Sequence, residues 1–400
     1  MPLNILHIVG GKLPDNPDKI GVSGIVHAVL RLAETQAKRG HDVMVASLSP
    51  KMTFSTEWRN VRLVGVCPFP VGNVTVGSRR IDLRDHLPFV WMTRNMRFDI
   101  VQTHLRNYTR FLKARAIFVH FHGDPYYNGG NNEGLSYSSS DFATIRRFSV
   151  GQLAPSRFVV EQLARGFGTT KNLYLVPNGV AHTEFHTRKV VQNSRALRES
   201  LGIRSDALVG GFAGAIVKEK GVLQLAKAVL DVSRVLPRFH MLMVGSSSLW
   251  GNPNEPDRVS EYEMNVTQLL LPLVQTHRVH FLGRIPAPDM PTIYAALDFL
   301  VVPSLVQEGF SLVTLEAMAS GKPVIASSNG ALPELIGDQR CGLSLGRCEP
   351  YDIAKSIVRL ATDSKLMYRM GIEGRRLSKS YSWDNAATIL DNIYFTHMRS

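Results

Sequence analysis

Residues 301–326 constrain the fold more than any other stretch of the chain. Val301-Val302 ends an apolar strand at Pro303-Ser304, and a short loop then carries Glu308-Gly309-Phe310-Ser311. A helix is predicted from about Leu312 to just before Gly321, and a second apolar strand follows at residues 323–326. Strand, loop, helix and strand in such quick succession read as a unit of a parallel α/β sheet. Such a corner aims helix N–H groups at whatever sits above the sheet, a place that favours phosphate. Glu316 lies four residues after Leu312, so it shares that face one turn down, about 6 Å along the axis. Taken alone, the two glutamates fit equally well a helix-capping Glu308 and a solvated Glu316.

The same alternation runs through both halves and predicts two parallel-sheet α/β domains. In the first half, strands are expected at residues 4–9, 42–47, 99–103, 116–121, 150–155 and 172–177, with an amphipathic helix at 25–39. In the second half they are expected at 208–213, 240–244, 279–282, 299–302 and 324–326, with helices at 220–235, 289–296 and 312–320. Residues 187–205 read as the connection, and the tail 353–398 as helical. The polar stretch 126–140 predicts a mobile loop over a cleft. Residues 246–256 predict an insertion.

Four hundred residues suit two domains better than one. No apolar run approaches the roughly 20 residues that span a bilayer, and the N-terminus lacks a basic leader. Three cysteines without CxxC spacing read as reduced, non-catalytic thiols of a cytoplasmic protein. The net charge of +13 is uneven, with 22 basic against 13 acidic residues in 1–185. The excess peaks between Arg79 and Arg115 and includes Arg94, Arg97 and Arg106. Such a surface is either simply solvated or suits an anionic partner. Residues 91–98 mix apolar and basic side chains at helical spacing, which points to peripheral contact at the inner face of a membrane. No nucleic-acid-binding motif accompanies the charge, which argues against nucleic acid.

From Glu308 onward the chain closely resembles the donor-site signature of retaining glycosyltransferases of family 4, E-G-F-[GS]-L-x-x-x-E-A-M-A-x-G-x-P-V. The resemblance covers about residues 4–385 and implies the GT-B fold: two Rossmann-like domains facing a central cleft, the C-terminal helix returning to the first. The expected divisions are 1–186 for the acceptor, 187–380 for the donor and 381–400 for the returning helix. By this resemblance Glu308 hydrogen-bonds sugar hydroxyls and Glu316 the ribose diol. Phe310, Ser311, Leu312 and Val313 would offer backbone N–H groups to the sugar and diphosphate.

Other segments follow the family pattern with departures. Gly24 keeps the second glycine of a Gly-Gly donor loop, with Ser23 in place of the first. His122, closing a strand before Gly123-Asp124, matches the histidine that approaches the donor sugar near the reacting carbon. His120 shares its strand face and is a rival. His104, also at a strand end, and Asp124 are expected on the acceptor side. In Gly214-Ala215-Ile216-Val217-Lys218-Glu219-Lys220-Gly221, Lys220 matches the phosphate-neutralising lysine, but Ala215 stands where the family has arginine, and Lys218 is the candidate substitute. Arg284 and Ile285 match the segment that frames the base. No Asp-x-Asp occurs, so metal-independent chemistry is expected, with Lys220 and helix N-termini neutralising phosphate.

The resulting expectation is transfer of a hexose-type sugar, with retention, from a nucleoside-diphosphate sugar (a uridine diphosphate sugar favoured) to the hydroxyl of a glycan, glycolipid or small molecule. His122 and Glu308 carry the catalytic roles. Two alternatives stay open: a sugar-nucleotide epimerase of the same fold, and a non-catalytic glycan-binding or nucleotide-sugar-binding protein. A dinucleotide-dependent dehydrogenase is argued against by the Gly10-Gly11 loop, which lacks the GxGxxG run.

Overall fold

The computed structural model describes residues 1–10, 13–14, 16–19, 22–49, 53–70, 74–76, 79–81, 83–105, 109–127, 137–247, 259–337 and 339–399. Arg106, and parts of the predicted loops at 10–24, 126–140 and 246–256, lie outside the described residues. The chain divides into two compact units, residues 1–178 with 383–400, and residues 179–382. Among the described residues, no helix is long and apolar enough to cross a membrane.

The first unit holds β1 (Asn4–Ile8), β2 (Asp42–Leu48), β3 (Phe54–Trp58), β4 (Val61–Val66), the separate pair β5 (Val74–Val76) and β6 (Arg79–Ile81), then β7 (Ile100–Thr103), β8 (Ala116–His120), β9 (Gly151–Ala154) and β10 (Leu173–Leu175). Its main sheet runs β10-β9-β8-β7-β1-β2-β4-β3. Every neighbouring pair is parallel except β3 with β4. The helices are α1 (Gly24–Lys38), α2 (Leu83–Asn95), α3 (Ser139–Phe148) and α4 (Arg157–Phe167). Period-2 alternation assigns the faces. Leu6, Ile8 and Val101 pack with Phe89 and Met92 of α2, so His7 and Gln102 must face the other way.

The second unit holds β11 (Leu208–Ala213), β12 (Phe239–Val244), β13 (Val279–Gly283), β14 (Phe299–Val302), β15 (Val324–Ser327) and β16 (Gly342–Leu345). Its helices are α5 (Arg188–Ser200), α6 (Val222–Val235), α7 (Glu261–Gln275), α8 (Met290–Ala296), α9 (Leu312–Ala319), α10 (Leu332–Leu335), α11 (Pro350–Thr362) and α12 (Ser364–Ser378). The sheet is wholly parallel, in the order β13-β12-β11-β14-β15-β16. Met241, Met243, Phe299 and Val301 pack with α6, α7 and α11. Leu242, Val244, Leu300 and Val302 pack with α8 and α9. Both faces are therefore buried, as a parallel sheet requires. The last helix of the chain, α13 (Trp383–Arg399), belongs to the first unit.

Neighbouring strands β11 and β14 send the chain in opposite directions, β11 toward β12 and β13, β14 toward β15 and β16. The crevice at the carboxyl ends of two such strands is where open α/β sheets take ligands. Two glycines let loops close there. Gly221 has φ +67, and a Cβ on it would lie 2.0 Å from the Pro303 carbonyl oxygen. Gly330 has φ +66, and a Cβ on it would lie 2.2 Å from the Glu308 carbonyl oxygen.

Gly202, with φ +69 and nothing within 4 Å of an added Cβ, isolates the backbone cost in the same unit. Gly202→Ala should lower unfolding free energy by about 1–2 kcal/mol, the left-handed penalty alone. Gly221→Ala should lower it by clearly more. Urea denaturation of the two variants checks this, and equal losses would contradict a close approach at Gly221.

Candidate functional site

At the β11–β14 crevice the short turn 218–220 brings Lys220 to the start of α6. Its Nζ lies 2.6 Å from Glu308 Oε1. Ser304, two residues past the end of β14, donates a short hydrogen bond to the same oxygen. The loops are tied together by backbone as well. Leu305 N donates to Glu219 O at 2.8 Å, and Ala331 N to Glu308 O at 2.8 Å. Asn329 Nδ2 donates to Ser304 O at 2.7 Å. Lysine and glutamate are thus held as a mostly buried, oriented pair (side-chain exposures 20% and 11%).

Behind them, Ser311 caps α9. Its Oγ accepts from Thr314 N at 3.4 Å and from Thr314 Oγ1 at 2.8 Å. The N–H groups of Leu312 and Val313 stand in the first turn, where no intrahelical acceptor exists. Glu316 sits one turn further along, half-buried, its Oε2 accepting from Tyr294 Oη at 2.8 Å. Tyr294 is fully buried on α8. Burial first, and the Glu316 charge second, hold its phenol well above the usual range, so it stays a donor and fixes the carboxylate. Phe310 and Ile285 pack partly buried on the same core as α8 and α9. Arg284 and Lys218 are exposed, and Ala215 is buried.

In the first unit, His122 belongs to a row of imidazoles on the side of the sheet opposite α2. His122 Nε2 lies 2.7 Å from His104 Nδ1, and His104 Nε2 lies 3.1 Å from His7 Nδ1. His7 Nε2 lies 2.7 Å from Gln36 Oε1 on α1. His120 Nδ1 lies 2.8 Å from Gln102 Nε2. The rings stack, at centroid distances of 5.4 Å for His7–His104, 5.0 Å for His104–His122 and 4.6 Å for His120–His122. Burial lowers His7 and His122 to about 4 and holds His104 and His120 well below the ordinary value. All four are neutral at pH 7.

His104, His120 and His122 place one ring nitrogen each within 4.8 Å of one another. A tetrahedral zinc ion needs ligand nitrogens about 3.3 Å apart. His104 and His122 are closer, at 2.7 Å, and share a proton. These contacts describe a hydrogen-bonded row better than a ligand set. Burial pushes the Cys341 thiol up to about 11, against a nucleophilic role.

The remaining predicted positions in the first unit are Gly24 and Asp124. Gly24 opens α1 under a Ser23 cap, and a Cβ there would meet nothing within 4 Å. Asp124 Oδ1 accepts from Tyr126 N at 2.9 Å, closing a local turn. Sequence reasoning missed Tyr294, Ser304, His7, Gln36, Gln102 and Tyr394. Only Gln102 carried a local signal, two residues from His104 on one strand face.

Residues 193–377 match the family described as Glycosyl transferases group 1, and residues 22–184 match Glycosyltransferase Family 4. A curated relative, the D-inositol 3-phosphate glycosyltransferase of Corynebacterium jeikeium, is 30% identical over 239 residues, covering 59% of this chain and 54% of the relative. The match thus spans about half the length of that relative. Two solved structures share the fold. Sucrose-phosphate synthase from Thermosynechococcus elongatus has TM-score 0.75 and 20% identity over 98% of each chain. Anabaena HepE, in complex with UDP-glucose, has TM-score 0.74 and 18% identity over 100% of each chain.

The depressed imidazoles make the first unit acid-sensitive. Their folded pKa values lie below the unfolded value near 6.5, so between about 6.5 and 4 the unfolded chain binds more protons. Stability should therefore be full above pH 6.5 and fall as the pH drops toward 4. Melting followed from pH 7.5 to 4.5 should show this loss, reduced in His122→Gln. A flat profile would contradict neutral burial.

Proposed function

The chain belongs to glycosyltransferase family 4, and from that premise we propose that it is a retaining hexosyltransferase using a nucleoside-diphosphate sugar. The observation that carries this reading is the Lys220–Glu308 pair at the β11–β14 crevice, with the α9 N-terminus behind it. A diphosphate entering there meets the Lys220 ammonium and the Leu312 and Val313 N–H groups, both suited to anionic oxygen. Glu308, oriented by Ser304 and Lys220, accepts hydrogen bonds from sugar hydroxyls. Glu316, oriented by Tyr294, accepts from the ribose diol. Arg284 and Ile285 flank the base, and Lys218 supplies part of the charge that an arginine at position 215 would bring.

In the proposed reaction the acceptor oxygen attacks the anomeric carbon on the face from which the diphosphate leaves. The new C–O bond forms as the C–O bond to phosphate breaks, and the acceptor proton passes to the departing phosphate oxygen. His122, neutral and held in the imidazole row, stabilises the oxocarbenium-like carbon together with backbone carbonyl groups. Lys220 and the α9 N-terminus neutralise the leaving group, so turnover is expected to persist in chelator. HepE's complex with UDP-glucose makes a uridine diphosphate sugar the first donor to test.

Uridine diphosphate at about a hundredfold over its dissociation constant should stabilise the protein by about 2.7 kcal/mol. Lys220→Ala should abolish most of the resulting thermal shift and lower turnover by about 10²–10³-fold. Unchanged binding in Lys220→Ala and Glu316→Ala would overturn the reading. So would an epimer formed from nucleotide-sugar without acceptor.

We also propose that the acceptor side meets an anionic lipid surface. Arg84, Trp91 and Arg94 recur at helical spacing on the exposed face of α2. Trp91 is 60% exposed and Phe111 is 55% exposed. The 110–113 segment is tied to α2, with Arg110 O at 2.5 Å from His86 Nε2 and Lys113 N donating to Thr93 Oγ1 at 3.2 Å. Co-sedimentation with phosphatidylglycerol vesicles should be salt-sensitive and largely lost in Trp91→Ala/Arg94→Glu. Equal sedimentation with neutral vesicles would count against it.

A further inference from the structure

We infer that Tyr394, on α13, is a positioning residue that sets the tautomer of His122 through a chain of hydrogen bonds; its consequence for turnover rests on the role proposed for His122. Tyr394 lies fully buried, more than 200 residues from every other member of the chain. Its hydroxyl has two amide neighbours. It donates a short hydrogen bond to Gln102 Oε1 and accepts from Gln36 Nε2 at 3.5 Å. The phenol has one proton to give. The closer contact is the one in which it gives it, as O–H donors make the shorter bonds.

That choice propagates. With Gln36 Nε2 turned to Tyr394, Gln36 Oε1 faces His7 Nε2 at 2.7 Å, so His7 carries its proton at Nε2. A neutral imidazole has one N–H, so His7 Nδ1 is an acceptor. His104 must then donate from Nε2, at 3.1 Å. His104 Nδ1 becomes an acceptor in turn, and His122 donates to it from Nε2, at 2.7 Å. The lone pair of His122 is left at Nδ1. The branch through Gln102 obeys the same rule. Its oxygen is taken by Tyr394, so its amide nitrogen donates to His120 Nδ1 at 2.8 Å. That leaves the proton of His120 on Nε2, which is buried without a hydrogen-bond partner among the described residues. The contact between Gln102 Nε2 and His104 Nε2 sets two N–H groups facing each other, and it is long at 3.5 Å.

All four rings thus carry the proton at Nε2. Turning both glutamines would reverse every bond between Tyr394 and His122 and move the proton of His122 to Nδ1. The row has two self-consistent proton orders, and the phenol decides between them. A ring whose tautomer is fixed by its outer partner presents one defined face to a ligand. For His122 that face is the acceptor nitrogen Nδ1. Burial keeps each ring neutral at pH 7, so the order is not scrambled by protonation.

Long-range proton–nitrogen NMR spectra of the full chain, labelled at histidine nitrogens, report each tautomer directly. The wild-type protein should show His7, His104, His120 and His122 protonated at Nε2. Tyr394→Phe keeps the ring and removes the hydroxyl. In it, the His104 and His122 shifts should move toward tautomer-averaged values and kcat should fall at least about tenfold, with KM for the donor unchanged. His7→Gln, whose amide also has one donating and one accepting end, should keep His122 in the Nε2-protonated form. Nδ1 protonation of His122 in the wild type, or an unchanged His122 tautomer in Tyr394→Phe, would overturn the inference. A changed tautomer with unchanged kcat would uphold the relay and remove His122 from the reaction.

Discussion

The chemistry of the second unit depends on one topological constraint: β11 and β14 lie side by side while their connections diverge. That divergence leaves a crevice at the carboxyl ends of the two strands, and the loops after both strands meet across it. They meet closely because Gly221, after β11, brings its backbone against Pro303, after β14, while Gly330, after β15, brings its own backbone against Glu308. The meeting point is where Lys220 and Glu308 form their 2.6 Å pair. A largely buried ion pair adds little net stability, since desolvation offsets most of the attraction. Its value here is orientation. A charge already paired and already aimed needs little reorganisation when an anionic ligand arrives.

The first unit solves a different problem with the same geometry. Strands β1, β7 and β8 are adjacent and in register, so side chains two apart on each strand form rows across the sheet. Two of these rows carry imidazoles and amides where a core would ordinarily carry aliphatic groups. Such groups must be bonded to be buried, and Gln36, Gln102 and Tyr394 complete the set. The C-terminal helix α13 therefore does more than cover the sheet. Its Tyr394 supplies a proton on which the donor–acceptor order of the row depends.

Much of this was legible in the amino-acid order. The parallel sheets follow from alternating apolar runs, and the strands predicted at 208–213 and 299–302 match β11 and β14. Glu308, Lys220 and Glu316 were visible in the sequence because each holds a fixed place in a strand–loop–helix unit: Glu308 in the loop after a strand, Lys220 at a helix start and Glu316 one turn inside its helix. What escaped is what only tertiary packing assembles. Tyr294 reaches Glu316 across two helices, and Tyr394 reaches Gln102 across 292 residues. The β3–β4 hairpin escaped for a local reason. Its two turn residues, Arg59 and Asn60, both take positive φ (49° and 64°), where an Asn-Gly pair would have announced the turn. β16 is four residues long and begins at Gly342, too short for a period to emerge.

Hydrogen exchange of the full chain, followed by mass spectrometry with and without uridine diphosphate, tests the central claim most directly. If the β11–β14 crevice holds the diphosphate, protection should appear in peptides covering residues 214–222 and 303–316. The ordered core strands of the same unit should serve as an unchanged reference. Saturating ligand with protection elsewhere, and none in those two segments, would contradict the account.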